Sequence, residues 1–294
     1  MKRVTKWLCL LCLLVWAFRQ GAAVGEYSPA VSLRFAQPLT FRQMEDARTL
    51  AAQGCVPWAS FWSESRAWVG GTDAAVIRFW GDARLVFPAE YAHGTAPVDL
   101  APDSCGVSTE LAWACYGAVD IVGLPLTVDG TEYRVCGVFE YAEPVALLPS
   151  REGHTAAELP GLSAAVDSRQ AALDFAAACG MAMPQQVLCG PEAASLAGAL
   201  PWLAVLVCGA ALIFRLPGGC WILLWAMLLW LPDWWLPDRW SHMLWWESLW
   251  AGLQARVRDW LSLVPAVRDV PLKLAWLKLM AASLGAAFLA RPRK

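Results

Sequence analysis

The chain has 294 residues, of which 58% are hydrophobic and only 16% charged, and its formal net charge is −2 at pH 7. The apolar excess lies in residues 1–25 and 198–294, which argues against an ordinary soluble protein and predicts membrane segments at both ends. Residues 26–192 contain 20 acidic residues, 9 arginines and no lysine, which argues against binding to nucleic acid or to anionic lipid.

The N-terminal segment, residues 1–25, has the pattern of a membrane anchor. Three basic residues precede an apolar run over residues 7–18. This run is shorter than the roughly 20 residues that a spanning helix needs, but Arg19 can snorkel and residues 21–24 can extend the helix. The sequence Gly-Ala-Ala at 21–23 also fits a cleavage site, so a retained anchor and a cleaved signal both stay open. Either one places the following domain outside the cytoplasm.

Residues 26–197 are predicted to form an extracytoplasmic domain. Thr40 and Gln43 have the spacing of a capping box, which predicts a helix that begins there and ends at Gly54. The turn signal Gly-Gly-Thr-Asp at 70–73 predicts a hairpin. Runs of β-branched and aromatic residues predict strands over 56–62, 75–80 and 84–87.

The second half of this domain has a clear helix and a clear hairpin. Ser108 is a predicted N-cap for a short helix that ends near Gly117. The turn Asp-Gly at 129–130 separates alternating residues, which predicts a hairpin with strands over 124–128 and 133–141. A further helix is predicted over 164–179, with Gly180 as its C-cap. The predicted fold class is therefore α+β.

The C-terminal region, residues 198–294, is predicted to be a helical membrane bundle. With the N-terminal anchor it gives four spans, and the basic residues after the last one satisfy the positive-inside rule. Twelve of the 19 tryptophans lie between Trp202 and Trp276, which suits an aromatic belt. The predicted C-terminal spans cover 196–216, 220–236 and 270–290.

Residues 240–264 have the periodicity of an amphipathic helix, with apolar residues at steps of three and four. One interpretation places this helix flat on the outer surface of the membrane. The other packs the same apolar stripe against the outer domain or the bundle.

The ten cysteines do not have the spacing of a zinc site. Six of them lie in the outer domain, and the turn-rich loop between Cys179 and Cys189 favours a disulfide between these two. Free buried thiols are the alternative, and both interpretations stay open. The remaining four are expected to be small apolar residues of the membrane segments: Cys9, Cys12, Cys208 and Cys220.

No catalytic, cofactor-binding or metal-binding residue is predicted, and no cofactor is expected. The sequence contains no phosphate-binding loop, zinc-protease motif or nucleophile elbow, so we do not expect an enzyme. His93 and His154 are expected in solvated loops, and His242 at the membrane interface. Lys273 and Lys278 are notable because charge inside a membrane is costly; Lys273 can snorkel, and Lys278 has Asp233 and Asp269 as candidate partners.

Part of the outer domain resembles a known family. The order and spacing of its residues over about 35–148 is similar to the periplasmic core domain of MacB-type ABC transporter permeases. The resemblance implies that fold, followed by three C-terminal spans with both chain termini inside, and a separate ATPase subunit as partner. It is carried by Val107–Trp113, Tyr116–Gly123 and Val128–Glu140, supported by residues 39–48 and 81–86.

One departure from that family opens a second hypothesis. Such permeases have a cytoplasmic coupling helix between the second and third spans, but residues 215–219 leave no room for one. The first hypothesis is a membrane component of a MacB-like ABC transport system, in the cell membrane as a multi-pass protein, with lipid, an ATPase subunit and another membrane protein as partners. The alternative is a membrane-anchored binding or regulatory protein that keeps the domain without transport. Neither hypothesis involves nucleic acid.

Overall fold

The computed structural model describes residues 2–26, 30–54, 59–150, 161–166, 168–191 and 270–290, and scattered positions between 193 and 208. The chain divides into two compact units. One is helical and is drawn from both ends of the chain, and the other comprises residues 28–191.

The unit formed by residues 28–191, which we call the outer unit after its predicted location, mixes helices and strands, as predicted from the sequence. Its elements, in chain order, are β1 (Val31–Arg34), α2 (Phe41–Ala52), β2 (Ala59–Val69), β3 (Thr72–Trp80), α3 (Ala83–Val86), β4 (Tyr91–Gly94), β5 (Ser104–Ser108), α4 (Thr109–Tyr116), β6 (Pro125–Val128), β7 (Thr131–Phe139), β8 (Val145–Pro149), β9 (Gly161–Ala164), α5 (Arg169–Ala178) and β10 (Gln186–Cys189). The helical unit contains α1 (Lys2–Glu26) and α6 (Val270–Ala290), and the described positions between 193 and 208 are also helical.

The strands of the described residues form one sheet of ten strands in the order β10-β1-β9-β2-β3-β8-β5-β7-β4. Most neighbours are antiparallel, but β3 pairs with β8 and β5 pairs with β7 in parallel. The remaining strand, β6, lies off this path and pairs with both β2 and β7. The sheet therefore joins strands that are far apart in sequence.

Two turns and the starts of two helices lie where the sequence predicted them. The hydroxyl of Thr40 accepts from the Gln43 backbone, and the Gln43 side chain accepts from the Thr40 backbone, so the capping box is confirmed. The register Val69↔Thr72 leaves a two-residue loop at 70–71, where both glycines have positive φ. The second hairpin turns at Asp129 and Gly130 in the same way, with φ of 49° and 77°. Ser108 caps α4, and Gly117 ends it in the left-handed conformation.

The core of the outer unit consists of three groups of buried side chains. In the first, α2 and α5 pack on β1, β9 and β10. In the second, α4 packs on β5, β6 and β7, and in the third the short helix α3 covers part of β3 and β8. Their largest fully buried members are Phe61, Leu33 and Met44 in the first, Leu111, Ile121 and Leu148 in the second, and Ile77, Phe79 and Phe139 in the third.

Two predicted elements were wrong. Residues 84–87 were predicted as a strand, but they lie in α3 and after its end, because the Asp82 side chain accepts from the Arg84 amide and starts a helical turn. The helix predicted from residue 164 begins only at Arg169, capped by Ser168, because residues 161–164 pair as β9 between β1 and β2. Tertiary pairing overrides the helix preference of an alanine-rich segment here.

Candidate functional site

The two ends of the chain pack together as long apolar helices. Helix α1 contacts α6, and the residues that face inward include small ones, with Ala17, Ala282 and Ala286 fully buried, as well as the larger Leu10, Trp276 and Leu279. The outward side chains are large and apolar: Trp7, Leu8, Leu11, Val15, Trp16 and Phe18 on α1, and Leu274, Leu277, Leu284 and Phe288 on α6. Such an arrangement, with small residues among those inside and large apolar residues outside, is typical of helices that associate in a lipid bilayer.

Two close contacts define this packing. The ring of Phe18 meets the ring of Trp202 edge-on at 5.1 Å between centroids. A Cβ atom at Gly285 would lie 3.4 Å from the Leu13 side chain, so the two helix surfaces touch there. Trp202 therefore contacts α1 within the same helical unit, and glycine at position 285 permits the close approach of α1 and α6.

Among the described residues, one helix has the length and composition to cross a membrane, over Trp7–Glu26. The span predicted over 270–290 coincides in position with α6, a helix of 21 residues, but position alone does not confirm it as a span. The predicted span 196–216 is helical at its described positions up to Cys208. The predicted span 220–236 and the amphipathic helix 240–264 lie outside the described residues, so the four-span bundle stays a prediction.

The two lysines of α6 are not equivalent. The Lys278 side chain is exposed and Lys273 is half-buried. Their predicted partners Asp233 and Asp269 lie outside the described residues, so the structure does not test that pairing.

Of the histidines that the sequence singled out, the structure describes His93. His93 is exposed, although it lies on the strand β4 rather than in a loop. Asp73 pairs with Arg66 at 2.8 Å, and Asp99 pairs with Arg48 at 3.5 Å. His154 and His242 lie outside the described residues. No group of three or more His, Cys, Asp or Glu residues that could hold a metal ion occurs in the part of the chain that the structure describes.

No disulfide joins Cys179 and Cys189, so of the two interpretations left open by the sequence, the structure contradicts the disulfide. Both side chains instead contribute to the core group around α5. Burial raises the pKa of Cys105 to about 12 and that of Cys179 to about 11. These two thiols are therefore protonated at neutral pH, whereas a cysteine nucleophile needs a lowered pKa.

Glycine has two different roles in the segment that carries the family resemblance. A Cβ at Gly137 would collide with the carbonyl oxygen of Thr95, so this position needs glycine for the close approach of two backbones. Open space surrounds Gly123 instead, and its φ of 92° is what requires glycine there.

The same segment exposes large apolar side chains that the sequence analysis did not single out. Trp113 and Tyr116 lie on the outer face of α4, and Val122 and Leu124 lie in the loop that follows. The spacing of three between Trp113 and Tyr116, on the side of the helix opposite the buried Leu111, is the sequence signal that could have found them. We call these four residues the α4 patch.

The chain is similar in structure to parts of two bacterial transporters. The periplasmic region of MacB from Actinobacillus actinomycetemcomitans aligns at 13% identity with a TM-score of 0.46, over 56% of this chain and 91% of that one. The extracellular domain of the noncanonic ABC-type transporter YknZ from Gram-positive bacteria aligns at 12% identity with a TM-score of 0.39, over 49% and 88% of the two chains. No family model matches the chain, and no curated protein matches its sequence.

Proposed function

We propose that this chain is the permease-type membrane component of a MacB-like ABC transport system. It is inserted in the cell membrane by several spans, with residues 26–197 outside the cytoplasm, and it works with a separate ATPase subunit. It performs no covalent catalysis itself. In this role the spans transmit a conformational change to the outer domain.

The observation that carries the proposal is the contact between α1 and α6. Because these helices come from opposite ends of the chain, the outer domain is inserted between two parts of one helical unit. A domain that is only tethered to the membrane by a signal anchor does not need a second helix that packs on that anchor. The order of motifs in residues 107–140 adds independent support from the sequence.

A non-transport binding or regulatory protein is the second candidate. The observation that favours it is the short connection of residues 215–219, Arg-Leu-Pro-Gly-Gly, between two predicted spans. A connection of this length leaves no room for a cytoplasmic helix that an ATPase would contact.

The test is extraction of the tagged full-length chain from its native cells in a mild detergent, with identification of the proteins that co-purify. A stoichiometric ATPase subunit, whose ATP hydrolysis changes when the chain is present, supports the transport system. Co-purification of another membrane or surface protein without any ATPase contradicts transport and supports the binding role. A variant in which three serines replace residues 217–219 is the matched control, because it tests whether the ATPase contacts the chain through this connection.

A further inference from the structure

The α4 patch exposes more apolar surface than the fold of the outer unit requires. Its side chains keep 57% (Trp113), 37% (Tyr116), 43% (Val122) and 42% (Leu124) of their surface exposed. Packing of α4 on the sheet is already satisfied by Leu111 and Ala112 on its inner face. Neighbouring large apolar residues on a protein surface mark an interaction site more often than isolated ones do.

The patch is held in a fixed shape by the residues around it. The Tyr116 hydroxyl donates to the carbonyl oxygen of Pro125, which ties the end of α4 to the chain just after Leu124. The Val135 amide donates to the Leu124 carbonyl at 3.0 Å, which fixes the loop to β7. The Gly117 amide donates to the Trp113 carbonyl at 2.9 Å and closes the helix. A preordered surface loses little conformational entropy when a partner binds to it.

The charge around the patch is mostly negative. Residues 107–133 contain four acidic residues and no lysine or arginine. The nearest bases are Arg134, exposed on β7 opposite Pro125, and Arg78, which pairs with Asp129 at 3.5 Å. Glu110, on α4, and Asp120, in the loop, are both exposed. Two more exposed carboxylates, Glu140 and Glu143, flank Tyr141, whose backbone is hydrogen-bonded to Thr109 at the start of α4. Anionic lipid and nucleic acid are repelled by such a surface, whereas a basic polypeptide is attracted to it.

We propose that the α4 patch is a docking site for another polypeptide that presents apolar side chains among lysines or arginines. Trp113 and Tyr116 are the anchors, since tryptophan and tyrosine dominate the binding energy of protein interfaces. The surrounding carboxylates orient the partner and speed its association. This inference applies under either of the two functions considered above, because both need a partner on the outer side.

The test uses the full-length chain in nanodiscs of zwitterionic lipid and three labelled peptides as probes. The first peptide alternates lysine and leucine around one tryptophan. The second has glutamate in place of each lysine, and the third has serine in place of each apolar residue. Empty nanodiscs give the blank for binding to lipid. We expect the first peptide to bind above this blank, the other two to bind at the blank level, and added salt to weaken the binding.

Variants then locate the binding site. We expect Trp113→Ala with Tyr116→Ala to weaken binding of the first peptide about tenfold, and Glu110→Lys with Asp120→Lys to weaken it severalfold. The control is Trp68→Ala, since Trp68 on β2 is 68% exposed. Its neighbour Val69 faces the core group beneath α4, so Trp68 points to the opposite face of the sheet.

Two outcomes would overturn the docking site. One is binding of the first peptide that neither pair of substitutions weakens, and the other is equal binding of the acidic peptide. The charge-reversal pair keeps the test decisive if the aromatic pair unfolds the domain, because Glu110 and Asp120 are surface residues. The result is independent of whether an ATPase co-purifies, so failure of this inference and failure of the transport proposal are distinguishable.

Discussion

A Cβ atom on Gly21 would lie 2.8 Å from the carbonyl oxygen of Ala197, so these two backbones touch within the helical unit. That contact sets a strict size limit at one position of α1. Four residues further along, Gly25 has open space around it. Substitutions at Gly21 and Gly25 therefore separate the effect of packing on stability from the effect of helix propensity.

We expect Gly21→Leu to destabilise the full-length chain and Gly25→Leu to leave its stability nearly unchanged. Both substitutions improve helix propensity, but only the first forces the backbones apart, at a cost of about 1–3 kcal/mol. Thermal unfolding in detergent, followed by size-exclusion chromatography after heating, measures the difference. Equal melting temperatures for the two variants would mean that α1 does not pack on residues 193–208.

Residues 28–191 are expected to fold as a soluble monomer when expressed without the helical unit. This unit has three buried core groups of its own and one continuous sheet. Near-ultraviolet circular dichroism tests for fixed side-chain packing, and light scattering gives the mass. A fragment with helical and strand signals but no near-ultraviolet spectrum would show that its core needs the membrane helices.

Ser108 is expected to contribute more to stability than an ordinary helix cap. Its buried hydroxyl accepts from the Leu111 amide at 3.1 Å and from the Val145 amide at 3.0 Å. Ser108→Ala leaves two buried donors without an acceptor and should cost roughly 2–4 kcal/mol. Ser168→Ala is the matched control, because this exposed hydroxyl accepts only from the Ala171 amide, and its loss should cost about 1 kcal/mol. Urea unfolding of the 28–191 fragment measures both, and equal losses would contradict the double role of Ser108.

The outer unit is expected to lose stability at alkaline pH. Burial raises the pKa of Cys105 from its ordinary value of 9.0 to about 12. The thiol is neutral in both states below pH 9, so its contribution is complete there. Between about pH 9 and 12 only the unfolded chain ionises, and the free energy of unfolding falls by about 1.36 kcal/mol per pH unit.

Cys105→Ala should therefore reduce the slope of stability against pH in this window. Urea midpoints at several pH values measure the slope, and Tyr91, whose pKa burial also raises, supplies a remaining alkaline dependence in both proteins. An unchanged slope in the variant would mean that the Cys105 thiol ionises as easily in the folded state as in the unfolded one.

The proposed orientation is tested by labelling intact cells with a membrane-impermeant maleimide. Leu100 is 90% exposed on the outer unit, so we expect Leu100→Cys to react from outside. The control Lys294→Cys, at the predicted inner end of the chain, should react only after lysis. The unmodified chain gives the background of the native cysteines. Labelling of the first variant only after lysis would reverse the topology.

The sequence correctly predicted the turns and helix starts that neighbouring residues determine. It failed where pairing with strands distant in the sequence determines the structure. Gly70 with Gly71, and Asp129 with Gly130, specify tight turns by themselves, and Thr40 and Ser108 specify helix starts. The segment at 161–164 became a strand only because β1 and β2 lie on either side of it. No pattern within residues 161–164 predicts that β1 and β2 will lie beside them.

The same limit applies to the candidate site. The acidity around α4 is visible in the composition of residues 107–133, and the spacing of Trp113 and Tyr116 is visible too. Two hydrogen bonds could not be predicted from the sequence. One joins the Tyr116 hydroxyl to the Pro125 carbonyl, and the other joins the Val135 amide to the Leu124 carbonyl. Together they hold α4 and the following loop in one surface.

The position of β1 in the sheet has a consequence for export of the chain in the proposed topology. Its pairing partners are β9 and β10, so in that topology the first strand stays unpaired until residues 161–189 have crossed the membrane. Contacts between segments this far apart in sequence slow folding, and a partly exported chain leaves apolar strand edges uncovered. The outer unit therefore completes its sheet late in translocation, and chaperones on the outer side have the whole of that interval in which to bind it.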